Sequence, residues 1–179
     1  MNKLHKIVFV SILVSIGLGL SVLESSIPLP IAMPGARLGL SNMVVLVTIV
    51  VFGFKDGLKV SALKSIVLML VTGSVSSFMY SISGAILSCI MMYIAYKYMS
   101  KIFSLIGVSI IGAVAHNFAQ VSVASLVMKN LRIYSYLPFL MLIGLFTGYF
   151  VGLASIYIVK NLKKNISAVF ERFWLLWNE

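Results

Sequence analysis

The chain has few acidic side chains, few prolines and a single cysteine. With four acidic residues and 61% hydrophobic residues, it has too little polar surface to enclose one soluble core, which excludes a soluble globular domain. A lone Cys89 excludes a disulfide within the chain and a cysteine-based metal site. The basic residues that give a formal net charge of +10 are scattered between apolar stretches, unlike the basic patch of a nucleic-acid-binding protein. The composition therefore predicts an all-α integral membrane protein.

Charges and turn residues divide the chain into six predicted transmembrane helices. These are residues 7–23, 38–54, 58–72, 77–97, 106–128 and 136–159. The third and fourth are separated at residues 72–77, because one helix through this uncharged stretch would be longer than the hydrocarbon core is thick. We therefore predict a six-helix transmembrane domain over residues 1–160.

The distribution of lysine and arginine predicts that both termini are cytoplasmic. With that orientation the outer side holds only Arg37, Lys129 and Arg132, and the other basic residues collect on the inner side. A cleaved signal peptide within residues 1–25 is the competing interpretation, but Leu23-Glu24-Ser25 lacks an Ala-x-Ala cleavage site. We expect a multi-pass protein of a bacterial cell membrane.

Two segments lie outside the predicted spans. Residues 24–41 hold Pro28, Pro30 and Pro34, which indicates a semi-rigid outer loop that either covers a pocket or serves as a spacer. Residues 161–179 carry apolar side chains at helical spacing. This pattern predicts an amphipathic interfacial helix on the cytoplasmic face, with docking onto a partner protein as the alternative.

Small residues recur every four positions in two helices. Gly144, Gly148 and Gly152 in the sixth helix predict close packing within the bundle. Ser11, Ser15 and Gly19 in the first helix form a small face without polar ligand-binding groups. We predict that this face docks another membrane subunit.

Three polar residues interrupt the apolar fifth helix. His116, Asn117 and Gln120 can point into one wedge near mid-membrane, where polar side chains either line a site or hydrogen-bond neighbouring helices. One histidine without a nearby carboxylate or thiolate does not make a metal site, and neither a metal nor a cofactor is predicted. Lys64, a short distance from Lys59, is expected to extend its amine to the cytoplasmic interface.

Arg37 begins the second predicted helix from the outer side. A helix N-terminus carries partial positive charge, so Arg37 at this point favours an anionic ligand. A simple ion pair between Glu24 and Arg37 is the alternative.

Several separated motifs resemble the Gx transporter family, which is also labelled heptaprenyl diphosphate synthase component I. The motifs are residues 34–42, 78–84, 108–120 and 136–138, followed by the glycines of residues 144–152. The six-helix layout is similar to that of the substrate-binding S components of energy-coupling factor transporters. The resemblance implies, as partners, the lipid bilayer, a small-molecule ligand and a membrane coupling subunit with two ATPases.

The chain itself is not predicted to be an enzyme. Prenyl transfer needs clustered aspartates that hold magnesium ions, and none of the four acidic residues are neighbours in the sequence. We expect a transporter or substrate-capture subunit that binds a small anionic ligand from the outer side, through Arg37, Asn42, Tyr80, Ser83, His116, Asn117 and Gln120. The alternative is a non-catalytic accessory subunit for isoprenoid or quinone metabolism, or for flavin- or quinone-linked electron export.

Overall fold

The computed structural model describes residues 3–26 and 38–177. Within these residues there are six α-helices and one short 3-10 helix at Leu131–Tyr136. The α-helices are α1 (Lys3–Ser25), α2 (Asn42–Phe52), α3 (Phe54–Thr72), α4 (Val75–Tyr98), α5 (Leu105–Val127) and α6 (Leu137–Trp177). Four candidate spans in the described residues are long and apolar enough to cross a membrane, namely Lys6–Glu24, Val75–Tyr98, Leu105–Val127 and Leu131–Leu162. The prediction of an all-helical, multi-pass membrane protein is confirmed, whereas its orientation stays a prediction.

The second predicted span is corrected to a half-length helix. Only the 11 residues of α2 are helical, which gives a length of about 17 Å against a hydrocarbon core of about 30 Å. Gly39 has a φ of +80°, outside the helical region, and this breaks the predicted helix before Asn42. Gly53, with a φ of +92°, separates α2 from α3 at the other end.

The third helix begins earlier than predicted and turns where predicted. α3 includes Lys55 and Asp56, so the charged residues that were expected in a loop lie in its first turn. It ends at Gly73, whose φ of +65° is left-handed, and Ser74 then caps α4 by accepting a hydrogen bond from the Ser77 amide at 3.2 Å. The predicted break at residues 72–77 is confirmed.

The last helix is longer than predicted. α6 runs for 41 residues without a break at residue 160, so the tail continues the sixth helix instead of starting a separate one. The predicted apolar face of this tail is formed by Ile166, Val169, Phe170, Phe173, Trp174 and Trp177. These side chains lie outside those that the structure describes, and the interfacial position of the tail stays a prediction.

The other five α-helices pack around α2. This short helix contacts each of the other α-helices, whereas α1 contacts only α2 and α3 among the described elements. Residues 44–47 of α2 are almost fully buried and form a core with Val60, Cys89 and Met92. α1 is therefore the most loosely held helix of the bundle.

An ion pair fixes the N-terminal end of α1. Lys6 Nζ lies 2.6 Å from Asp56 Oδ2, and Lys59 Nζ lies 3.3 Å from Oδ1. Burial by itself would raise the pKa of the Asp56 carboxyl, but hydrogen bonds and positive charge from both lysines outweigh burial and hold this pKa below its ordinary value. The carboxylate therefore ties the start of α1 to the start of α3 at neutral pH.

The glycine ladder of α6 faces α5, as predicted for packing within the bundle. A Cβ added to Gly148 would lie 2.9 Å from the Ile110 Cα, and one added to Gly152 would lie 2.5 Å from the Ile106 Cα. Both distances are to backbone atoms, which cannot rotate away. Glycine therefore sets the separation of α5 and α6.

We expect Gly152→Ala to destabilise the protein by about 1–3 kcal/mol, because the new methyl group forces the two backbones apart. Gly19→Ala is the matched control, since a Cβ at this helical glycine of α1 meets no atom within 4 Å. The measurement is thermal unfolding in detergent. Equal melting temperatures for the two variants would contradict the packing role.

Candidate functional site

The chain enters α2 through a short non-helical segment in the interior of the bundle. We call residues 38–42 the entry segment, which consists of the four non-helical residues 38–41 and Asn42, the first residue of α2. Four helices contact it: α1 through Glu24, α3 through Lys64, α5 through His116 and α6 through Thr147, whose hydroxyl donates to the Leu38 carbonyl at 3.1 Å. Backbone without helical hydrogen bonds is tolerated at membrane depth only where protein surrounds it or where it lines a cavity.

Lys64 is the cation of this site. Its side chain is 1% exposed, and its Nζ donates to the Ser41 hydroxyl at 2.6 Å. The expectation that this amine extends to the cytoplasmic interface is therefore wrong. Lys64 lies about 15 Å along α3 from Phe54. At this height Lys64 is level with the start of the half-length α2. The shortened helix leaves the space that the lysine side chain occupies.

Glu24 brings a carboxylate to the same segment. It is buried near the C-terminal end of α1, and its Oε1 accepts a hydrogen bond from the Gly39 amide. Lys64 and the N-terminus of α2 both contribute positive charge here, so a carboxylate is electrostatically favoured at this point. Sequence reasoning considered Glu24 only as a partner for Arg37, which lies outside the described residues.

His116 lies between two glycines. A Cβ on Gly39 would be 3.6 Å from its ring, and one on Gly84 of α4 would be 2.7 Å from it. Only glycine leaves room for the imidazole at Gly84. The ring is 3% exposed and therefore forms part of the interior wall next to the entry segment.

Asn42 has unused hydrogen-bonding capacity. It is 3% exposed, and among the described residues neither atom of its side-chain amide has a hydrogen-bond partner. Its Nδ2 would be 3.0 Å from a Cβ on Gly39, so the amide lies against the entry segment. A buried amide with neither group paired is costly unless a ligand or water uses it.

The structure separates Asn117 from this group. Its Nδ2 donates to the Leu140 carbonyl of α6 at 2.6 Å and contacts Gly144. Asn117 therefore joins α5 to α6, which is the packing role that the sequence left open. His116 and Asn117 are neighbours in the sequence but serve different helix contacts.

The other residues that were predicted to bind the ligand lie in three different environments. Tyr80 is buried in an apolar cluster with Val121, Ala124, Ile133 and Leu140. Ser83 is half-buried, and its hydroxyl donates to the Met79 and Tyr80 carbonyls of its own helix. The neighbouring inward-facing serine is Ser81, which pairs with Ser65 of α3 at 3.0 Å. Gln120 is fully buried, one turn beyond His116 towards the C-terminal end of α5.

The small face of α1 points away from the bundle. Ser11, Ser15 and Gly19 are all exposed, and the Ser15 hydroxyl donates to the Ser11 carbonyl at 3.0 Å. Their exposure is compatible with the predicted docking of a membrane subunit. That docking stays a prediction.

Sequence comparison identifies the family of this chain. The model of the family described as heptaprenyl diphosphate synthase component I matches residues 13–158. The chain belongs to this component I family. The matched stretch contains Glu24, the entry segment, Lys64 and His116, so the whole candidate site lies within it. Comparisons with curated proteins and with solved structures gave no match.

The family assignment bears on catalysis and on partners. Component I is the non-catalytic, membrane-associated part of a heptaprenyl diphosphate synthase, which confirms the prediction that the chain is not itself an enzyme. As a component, it acts together with another subunit. The two described buried carboxylates, Asp56 and Glu24, are held at opposite ends of α1 and form no acidic cluster.

We expect Asn117→Ala to lower the free energy of unfolding by about 1–3 kcal/mol, because the buried Leu140 carbonyl loses its donor. Ser83→Ala is the control and should stay within about 0.5 kcal/mol of the wild type, since its hydroxyl bonds only to its own helix. Thermal unfolding in detergent measures both. A wild-type melting temperature for Asn117→Ala would remove its structural role.

Proposed function

We propose that this component I chain is a membrane subunit that captures a small anionic ligand at the entry segment of α2, from the outer side of the membrane. The observation that carries the proposal is the buried Lys64 ammonium beside the α2 N-terminus, next to an Asn42 amide without a partner among the described residues. A cation and a helix N-terminus together favour an anion.

The residues have distinct roles in this proposal. Lys64 supplies the charge, Ser41 and Asn42 supply hydrogen bonds, and His116 forms the inner wall. Gln120 and Tyr80 lie on the outer side of His116, along the path by which a ligand would arrive. Arg37 and Ser83 remain predictions from the sequence.

The apolar surroundings limit the class of ligand. The interior next to the site is formed by aliphatic side chains such as Val44 and Val45, which offer no further charge. A ligand with one anionic group and an apolar body fits these surroundings better than a highly charged one. A carboxylate or a phosphate ester with an apolar tail meets this requirement, and so does a prenyl phosphate.

The test compares two lysines of α3. We expect the wild type to bind hexyl phosphate or hexanoate better than uncharged hexanol, and Lys64→Met to lose at least about tenfold in affinity for the two anions. Lys59→Met is the matched control, because Lys59 is largely exposed and pairs with Asp56 at the other end of the helix. Isothermal titration calorimetry on purified protein gives the affinities.

The same titration tests the remaining roles. His116→Ala and Arg37→Ala should each weaken anion binding if the two side chains belong to the site. Equal affinities for wild type, Lys64→Met and His116→Ala would refute the proposed anion site.

A second proposal concerns the partner subunit. A component of a synthase must contact another subunit, and the exposed Ser11, Ser15 and Gly19 give α1 a face that a second transmembrane helix can approach closely. Co-purification with two ATPases and a coupling subunit would support the capture function. Co-purification with a prenyltransferase and no ligand binding would instead support an accessory role only.

Photo-crosslinking in native membranes tests this face. We expect a photoreactive residue at position 15 to crosslink to a protein, whereas one at position 146, which is 70% exposed on α6, should crosslink to lipid. Lipid adducts alone at both positions would argue against docking through α1.

A further inference from the structure

Glu24 and Lys64 reach the same five-residue entry segment from different helices. Glu24 of α1 accepts from the Gly39 amide, and Lys64 of α3 donates to Ser41 two residues further on. A carboxylate thus already accepts a hydrogen bond from a backbone N–H at the positively charged start of α2.

We propose that Glu24 is a resident substitute for the anionic group of the ligand, and that an incoming anion displaces it from the Gly39 amide. The proposal rests on the anion site proposed above and adds that Glu24 competes with the ligand. Two like charges at one buried donor repel each other strongly, so the carboxylate and the ligand anion exclude each other.

The packing of α1 allows this exchange. Among the described helices α1 contacts only α2 and α3. Its cytoplasmic end is held by Lys6 and Asp56, and its outer end by Glu24. These ties are about 27 Å apart along the helix. In this proposal, release of Glu24 lets the outer end of α1 move away from α2. The Lys6–Asp56 pair and the contact of Gly17 with Val44 hold the rest of the helix in place.

Burial of the site makes such a movement necessary. Asn42, Lys64 and His116 are each at most 3% exposed, so the site is closed to solvent while Glu24 is in place. Ser21, one turn before Glu24 on the same helix, is 1% exposed. Displacement of Glu24 should therefore expose both the site and Ser21.

The first experiment measures the position of α1 without any ligand. A cysteine replaces Ser21, and its reaction with a membrane-impermeant methanethiosulfonate is followed; the native Cys89 is fully buried and gives the background. Glu24→Gln keeps the shape of the side chain and removes its charge, and should speed the reaction by about tenfold. Asp56→Asn, which neutralises the carboxylate at the other end, should not speed it. If Glu24→Gln leaves the labelling rate of the cysteine at position 21 unchanged, the proposal is overturned.

The second experiment measures competition. Glu24→Gln should bind hexyl phosphate about tenfold more tightly than the wild type, because the ligand no longer displaces a carboxylate, whereas hexanol should bind both equally. In the wild type, hexyl phosphate should speed the labelling of a cysteine at position 21, and with Lys64→Met it should not.

The outcomes separate the two proposals. Binding that is lost in Lys64→Met but unchanged or weaker in Glu24→Gln keeps the anion site and overturns the role of Glu24. Absence of hexyl phosphate binding in both the wild type and Glu24→Gln overturns the anion site, and the displacement of Glu24 with it.

Discussion

The structure depends on a helix that is too short for its position. The α2 backbone begins inside the bundle, and its non-helical entry segment needs hydrogen-bond partners that lipid cannot supply. Glu24 and Thr147 supply them from α1 and α6, and Lys64 of α3 bonds the Ser41 hydroxyl of the same segment. A full-length second helix would have needed none of these contacts. The polar groups around the entry segment and the arrangement of the helices around them thus have the same origin.

The buried charges at the entry segment would destabilise the protein if their role were only structural. Burying an ammonium and a carboxylate in a membrane protein costs several kcal/mol per ion, and apolar side chains of similar volume would often stabilise the fold better. Uncharged side chains bond backbone carbonyls in this bundle, as Asn117 does at Leu140 and Thr147 does at Leu38. The cost of the buried charges therefore supports the proposal that they bind a ligand.

Hydropathy predicted the helices well and the site only in part. Long uncharged stretches and the turn at residues 72–77 are local signals, so α4 and α5 were located closely. The break before α2 was not predicted, because Leu38 and Leu40 are apolar and only the backbone angle of Gly39 excludes a helix. Lys64 was misplaced for the same reason, since the space for its side chain exists only when α2 is short. The rotation of α4 about its axis depends on its neighbours, so the sequence did not show that Ser81 faces Ser65 of α3.

α1 connects the interior of this component I chain with its surroundings. One side of the helix carries Glu24 into the entry segment, and the exposed side carries Ser11, Ser15 and Gly19. A helix moves as a rigid rod over this length, so a ligand that shifts its outer end also shifts the small exposed face. A partner subunit on that face would then sense occupancy of the site without contacting the ligand. Under the capture proposal, a single helix held by polar contacts at its two ends would join ligand binding to partner contact. A non-catalytic component would thereby act on the subunit that it accompanies.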